Sequence, residues 1–178
     1  AAVKSKTPEL PLWSLIVSSQ LLDIAYIPFS LAGIERMEPV GDGGYGNLMI
    51  YAFYSHSLVG ALLLALLAAG LAGKFWGKKA AKITGAVVFS HWILDLIVHR
   101  PDMPIFPGNI GNLPLLGFGL WQYVPASMFV EFLLIAAGVF YYFRYVLQNA
   151  SPKSKGKKMA AGFAMTAFLL LSFGTNFI

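Results

Sequence analysis

The sequence predicts an all-α fold, an integral membrane bundle of about five transmembrane helices forming a single domain over residues 1–178. Three observations predict it. Of the residues, 57% are hydrophobic and only 12% charged, with a mean hydropathy of +0.67. A soluble domain carries roughly 25% charged residues, so this surface could not be wetted. Several apolar stretches approach the roughly 20 residues needed to cross a hydrocarbon core, and the basic residues sort into alternate loops, as they do in membrane proteins.

The first expected span, residues 11–33 (PLWSLIVSSQLLDIAYIPFSLAG), holds one charge, Asp23, and Pro28, which predicts a kink towards its end. A loop with acidic residues and glycines, IERMEPVGDGGYGNL, leads to a second span over 49–73, with His56 near its start. Lys74–Lys82 reads as a short basic loop, and the third span covers 83–99. Residues 100–119 are rich in proline and glycine yet carry Met103, Ile105, Phe106, Leu115, Leu116 and Phe118. That content suits a loop lying on the membrane surface or capping a pocket. The fourth span, 120–147, contains Pro125 and Glu131; the basic linker PKSKGKK then precedes a fifth over 159–178.

Five spans place Lys4, Lys6, Lys74, Lys78, Lys79, Lys82, Arg144, Lys153, Lys155, Lys157 and Lys158 on the side of the N-terminus. Only Arg36 and Arg100 of the 13 basic residues fall on the other. The positive-inside rule makes the first side cytoplasmic. The net charge of +5 is thereby explained by topology, and no nucleic-acid motif stands out. The chain reads as a multi-pass protein of the bacterial inner (plasma) membrane, with lipid as its surroundings. With no cysteine, a disulfide framework, thiolate metal site or cysteine nucleophile is excluded.

Charge inside a membrane is costly, so ionisable residues within spans face a partner or a cavity. Here they are Asp23, His56, His91, Asp95, His99 and Glu131, and at about 1.5 Å per residue all fall in the outer half of the bilayer. One polar cavity opening towards the periplasm is the economical explanation. His91, Asp95 and His99 share a helix face, because residues four and eight apart differ by only about 40° and 80°. Neutral imidazole with carboxylate is the usual donor mixture for zinc, and also suits manganese or iron. His91 and Asp95 lie about 6 Å apart along the axis and can reach one metal, whereas His91 and His99 lie about 12 Å apart. Asp95 with one histidine is therefore expected in the first shell, completed by His56 and Asp23. The other histidine would be an outer partner, a ligand of a second metal, or a general base. The plainer alternative is a hydrogen-bonded His–Asp clamp between helices. Ser55, Ser57 and Ser90 flank the histidines but suit a polar helix seam equally well.

At these residues the chain resembles a family. YSHSL (Tyr54–Leu58), LLD (Leu21–Asp23), SHWILDLIVHRPDMPIFPG (Ser90–Gly108) and GLWQYVPASMFVEFLLIAAG (Gly119–Gly138) are similar to small multi-spanning bacterial inner-membrane proteins described as metal-dependent hydrolases. The similarity covers nearly the whole chain. It implies a divalent metal held at His56, His91 and Asp95, with Asp23 and His99 as further candidates. Members of that family typically carry a Gly-His ahead of the first full span, which Ala1–Glu9 lacks. The resemblance thus implies either a preceding segment or one ligand fewer.

Two functions are consistent with this reading. The first is a metal-dependent hydrolase in which the ion activates water against a lipid-like ester or phosphoester. Glu131, Asp102 or Asp23 would then act as base or orienting group, with Arg100 available for an anionic substrate group. The second is a non-catalytic accessory or structural subunit of a larger membrane complex, which would bind partner subunits.

Overall fold

Leucine, alanine and methionine are strong helix formers, and in lipid a helix satisfies its own backbone. The computed structural model, which describes residues 9–41 and 47–174, is accordingly mostly helical. Lys4, Lys6 and the end of the expected fifth span, 175–178, lie outside the described residues. The described residues form five helices: α1 (Leu12–Ser19), α2 (Leu21–Leu31), α3 (Leu58–Val98), α4 (Val124–Asn149) and α5 (Pro152–Gly174). Two of these, α3 and α4, are long and apolar enough to cross a membrane, and α1 with α2 reaches that length as a bent pair. The residues cluster into two compact units that divide between Tyr123 and Val124.

All-α is only approximate. Two strands, β1 (Arg36–Pro39) and β2 (Leu48–Tyr51), pair antiparallel with Arg36 opposite Tyr51 and Pro39 opposite Leu48. The expected second span therefore begins at Leu58 rather than 49, and His56 precedes it in a turn. Strand pairing satisfies this backbone between elements instead of along a helix. The Arg36 guanidinium lies 4.4 Å above the Tyr51 ring, and its Nε donates to Glu38 Oε1 at 2.6 Å, holding the exposed edge.

The expected first span breaks at Gln20 (φ −113°, ψ 12°), where α1 and α2 meet at 52°. Pro28, the residue expected to kink it, sits inside α2. The Ser14 and Ser19 hydroxyls bond back to the carbonyls of Pro11 and Ile16 at 2.8 Å each, a local alternative that competes with the helical ladder.

Helix α3 is 41 residues long and contains one non-helical residue, Gly77 (φ 85°, ψ 174°). The expected basic loop over Lys74–Lys82 is thus helical on both sides of a one-residue reversal, because alanine and lysine extend a helix and only Gly77 interrupts it. The two arms pack antiparallel along small residues. A Cβ at Gly73 would sit 3.2 Å from that of Ala81, and one at Gly85 3.2 Å from that of Ala69. Further along, Ala61, Ala65, Val88 and Trp92 form the buried core with Leu22 and Met103. Small residues let two membrane helices approach closely. Gly77 occupies a backbone region essentially closed to other residues, at a cost of about 1–3 kcal/mol for a side chain there. Gly77→Ala is expected to lower the thermal stability of the full chain in detergent by that amount; an unchanged melting temperature would mean that the reversal does not depend on this glycine.

Residues 99–119 are tied to α3 rather than lying free. The Pro104 and Ile105 carbonyls accept the Leu58 and Val59 amides at 3.0 Å, satisfying orphan donors of the α3 N-terminus. Phe118 N donates to Leu96 O at 2.8 Å, and Met103 and Leu116 exchange bonds at 3.0 and 2.7 Å. Gly117 (φ 145°) is required there, since a Cβ would overlap the Arg100 carbonyl.

In the second unit α4 and α5 pack as a hairpin. Gly162 admits Tyr142 and Phe143 where a Cβ would lie 2.5 Å and 2.9 Å from their rings. Phe143 and Phe163 meet at 5.0 Å, and Tyr142 Oη donates to Lys158 O at 2.9 Å. The linker PKSKGKK forms the first turns of α5, which starts at Pro152 instead of 159.

Candidate metal centre

Three chain segments converge at the end of the α3 hairpin remote from Gly77. The second arm contributes His91 and Asp95, one turn apart and therefore on one face. The turn before α3 contributes His56. Ser57 shapes that turn by capping α3: its hydroxyl accepts the Gly60 amide and donates to the Tyr54 carbonyl, both at 3.0 Å. Gly60 has no alternative, because a Cβ would overlap that same carbonyl. Trp92 Nε1 then donates to His56 O at 2.9 Å, fixing the turn to the second arm. Helix α2 contributes Asp23, just past the break.

The carboxylates alternate with the imidazoles around a common centre. His56 Nε2 lies 3.5 Å from Asp23 Oδ1 and 3.5 Å from Asp95 Oδ2. His91 Nε2 lies 3.6 Å from Asp23 Oδ2 and 3.1 Å from Asp95 Oδ2. The tightest group is Asp23, His56 and His91, whose ligand atoms all lie within 4.8 Å of one another. Asp95 touches both imidazoles from within the fold but stands outside that three-residue group. Asp23 is the open side: its side chain is 53% exposed, against 6% for His56 and 15% for Asp95.

Each histidine has its outer nitrogen held by an acceptor. His91 Nδ1 meets the Ser19 carbonyl at 2.7 Å, and a carbonyl can only accept, so the proton is on Nδ1. The α1–α2 break thus presents a main-chain acceptor to the site. His56 Nδ1 meets Ser55 Oγ at 2.8 Å, while that hydroxyl donates to Glu35 Oε2 at 2.8 Å, so here too the proton sits on Nδ1. His99 Nδ1 donates to Asp102 Oδ1 at 3.0 Å. In neutral imidazole all three Nε2 atoms then carry a lone pair, the arrangement that metal-binding histidines adopt.

Glu35, which sequence reasoning had left in a loop, anchors this arrangement. It is fully buried and accepts from Tyr54 N at 2.6 Å, Ser55 N at 2.8 Å and the Ser55 hydroxyl. Nothing in the segment IERMEP distinguishes it from Glu38, which is exposed. Ser55 is occupied in orienting His56, Ser57 in capping, and Ser90 in a bond to Val87 O at 2.7 Å, so none is arranged as a nucleophile.

His99 ends α3 in an extended conformation (φ −62°, ψ 147°), which lifts it off the helical face shared by His91 and Asp95. Its ring stacks on His56 at 6.3 Å and packs against Trp121 at 4.9 Å. Asp102 is buried and its second oxygen accepts Ile50 N at 3.0 Å, which joins the sheet to the dyad. Arg100 Nη2 donates to Asn47 Oδ1 at 3.1 Å. Glu131 lies on α4, in the other compact unit.

The donor set fits a divalent cation. Asp95 Oδ2 is buried without a hydrogen bond, although two ring nitrogens lie within 3.5 Å of it. A buried carboxylate oxygen without a donor is costly, and a cation at the centre would satisfy it together with both lone pairs. Donors at about 2.0–2.1 Å from a tetrahedral ion lie about 3.3 Å apart, close to the four imidazole–carboxylate contacts of 3.1 to 3.6 Å. No family model, curated protein or solved structure matches this chain. The chemistry of the site therefore rests on its own geometry.

Proposed function

We propose that the chain is a metal-dependent hydrolase of the bacterial inner membrane, acting on an ester or phosphoester of a lipid-like substrate at the periplasmic side. The observation that carries this reading is the convergence of His56 Nε2 and His91 Nε2 on a buried Asp95 oxygen that makes no hydrogen bond, with Asp23 at the open side. The sorted basic residues support the orientation, and the resemblance around SHWILDLIVHRPD supports the reaction class. Asp23, His56, His91 and Asp95 would hold the ion, zinc by preference of the donor set, with manganese or iron as alternatives. When bound, such an ion supplies Lewis acidity and a more acidic water.

The remaining roles belong to the chain. Asp102 keeps the His99 proton on Nδ1, so Nε2 is the acceptor that takes a proton from the attacking water and returns it to the leaving oxygen. Ile50 N and Trp121 hold this dyad in place. Ser19 O and the Glu35–Ser55 pair keep both liganding rings in the required tautomer. The exposed flank of Asp23 is where substrate would enter.

Turnover of short-chain and lipid esters and phosphodiesters by the full chain in detergent, with and without chelator, tests the proposal. Chelator-sensitive hydrolysis is expected, and His99→Ala should lower kcat about 100-fold or more while leaving metal content unchanged. Hydrolysis that survives full chelation would overturn it.

A further inference from the structure

A second site lies at the opposite end of the α3 hairpin and is independent of the proposed hydrolysis. A groove of about 380 Å³ runs between α1 and both arms of α3, lined by Trp13, Val17, Leu21, Leu67, Leu71 and Trp76 among others. Its few polar groups are hydroxyls of Ser14, Ser18 and Thr84, and that of Ser14 is already bonded to Pro11 O. Trp13 and Trp76 meet edge to face at 6.1 Å at the end nearest the reversal, as amphipathic rings do at a headgroup boundary. In the turns flanking Gly77, Lys74, Lys78 and Lys82 are exposed, and among the described residues none of the three is ion-paired.

We infer that this groove holds an acyl chain of an anionic phospholipid, whose phosphate meets the lysines of the α3 reversal. The groove's volume and its almost wholly apolar lining suit an extended hydrocarbon chain. Charge decides against a neutral lipid. An unpaired lysine at a membrane surface favours an anionic headgroup by about fivefold, and three lie in the turns on either side of Gly77.

The test is native mass spectrometry of the full chain in mild detergent, titrated with equal amounts of phosphatidylglycerol and phosphatidylcholine. A single phosphatidylglycerol adduct is expected, exceeding the phosphatidylcholine adduct by at least about fivefold. Replacing Lys74, Lys78 and Lys82 together by alanine should equalise the two lipids. Ala68→Phe and, independently, Val17→Phe should each reduce the adduct several-fold while circular dichroism shows unchanged helix content. Equal adducts on the native chain, groove-filling variants that keep the lipid, or a dimer mass in place of the adduct would each overturn the inference.

Discussion

His91→Ala is expected to reduce the affinity of the full chain for zinc by at least about 100-fold, read by competition with a chromogenic chelator. Changing a partner that merely orients a ligand already costs 10–100-fold, and His91 is itself a donor. The variant also leaves Asp23 and Asp95 facing the centre with one imidazole fewer between them. Linkage provides a second readout. A ligand at 100 times its Kd stabilises a fold by about 2.7 kcal/mol, so zinc should raise the melting temperature of the native chain and fail to do so for His91→Ala. His99→Ala is the control. Its ring bonds Asp102 and lies outside the tight three-residue group, so zinc should still bind and still stabilise. Equal zinc affinity in His91→Ala and the native chain would remove His91 from the centre.

Glu35→Ala should destabilise the chain by about 3–5 kcal/mol. Its carboxylate is fully buried and accepts two backbone amides, which would be left without a partner, and the Ser55 hydroxyl, which would turn to His56 Nδ1. Each buried donor left unmade costs about 1–3 kcal/mol. Glu35→Gln keeps the shape but retains a single acceptor oxygen, so a smaller loss of about 1–3 kcal/mol is expected. Because Ser55 Oγ would then be free to donate to His56 Nδ1, the Gln variant should also weaken metal binding about 10-fold or more. Thermal unfolding with and without zinc separates the two effects. A variant as stable as the native chain would show that the Tyr54–Ser55 turn does not rely on Glu35.

Much of this architecture is legible in local sequence, and the failures share one cause. The apolar arms of α3 and the length of α4 follow from hydropathy, and the pairing of His91 with Asp95 follows from helical spacing alone. The β1–β2 pair is not legible because Met49–Tyr51 reads as the start of an apolar run, and only its pairing with Arg36–Glu38 makes it a strand. Sequence predicts a kink at Pro28, the visible breaker, and offers no signal for the break at Gln20, where the freed Ser19 carbonyl meets a residue 72 positions away. His56 falls inside the expected second span because, although the Ser57 cap is local, the Pro104 and Ile105 carbonyls that help start α3 after it come from tertiary structure. Glu35 had no local signal at all, since its partners, Tyr54 and Ser55, lie 19 and 20 residues on.

The central claim, that His56, His91 and the two aspartates form a metal centre, is tested most directly by metal content. The full chain, purified without chelator, is analysed by inductively coupled plasma mass spectrometry beside His56→Ala and Asp95→Ala. The account predicts close to one divalent metal per chain, lost in both variants. A native chain free of metal after reconstitution with zinc, manganese and iron, and as stable as with them, would contradict it and leave a buried His–Asp clamp between helices.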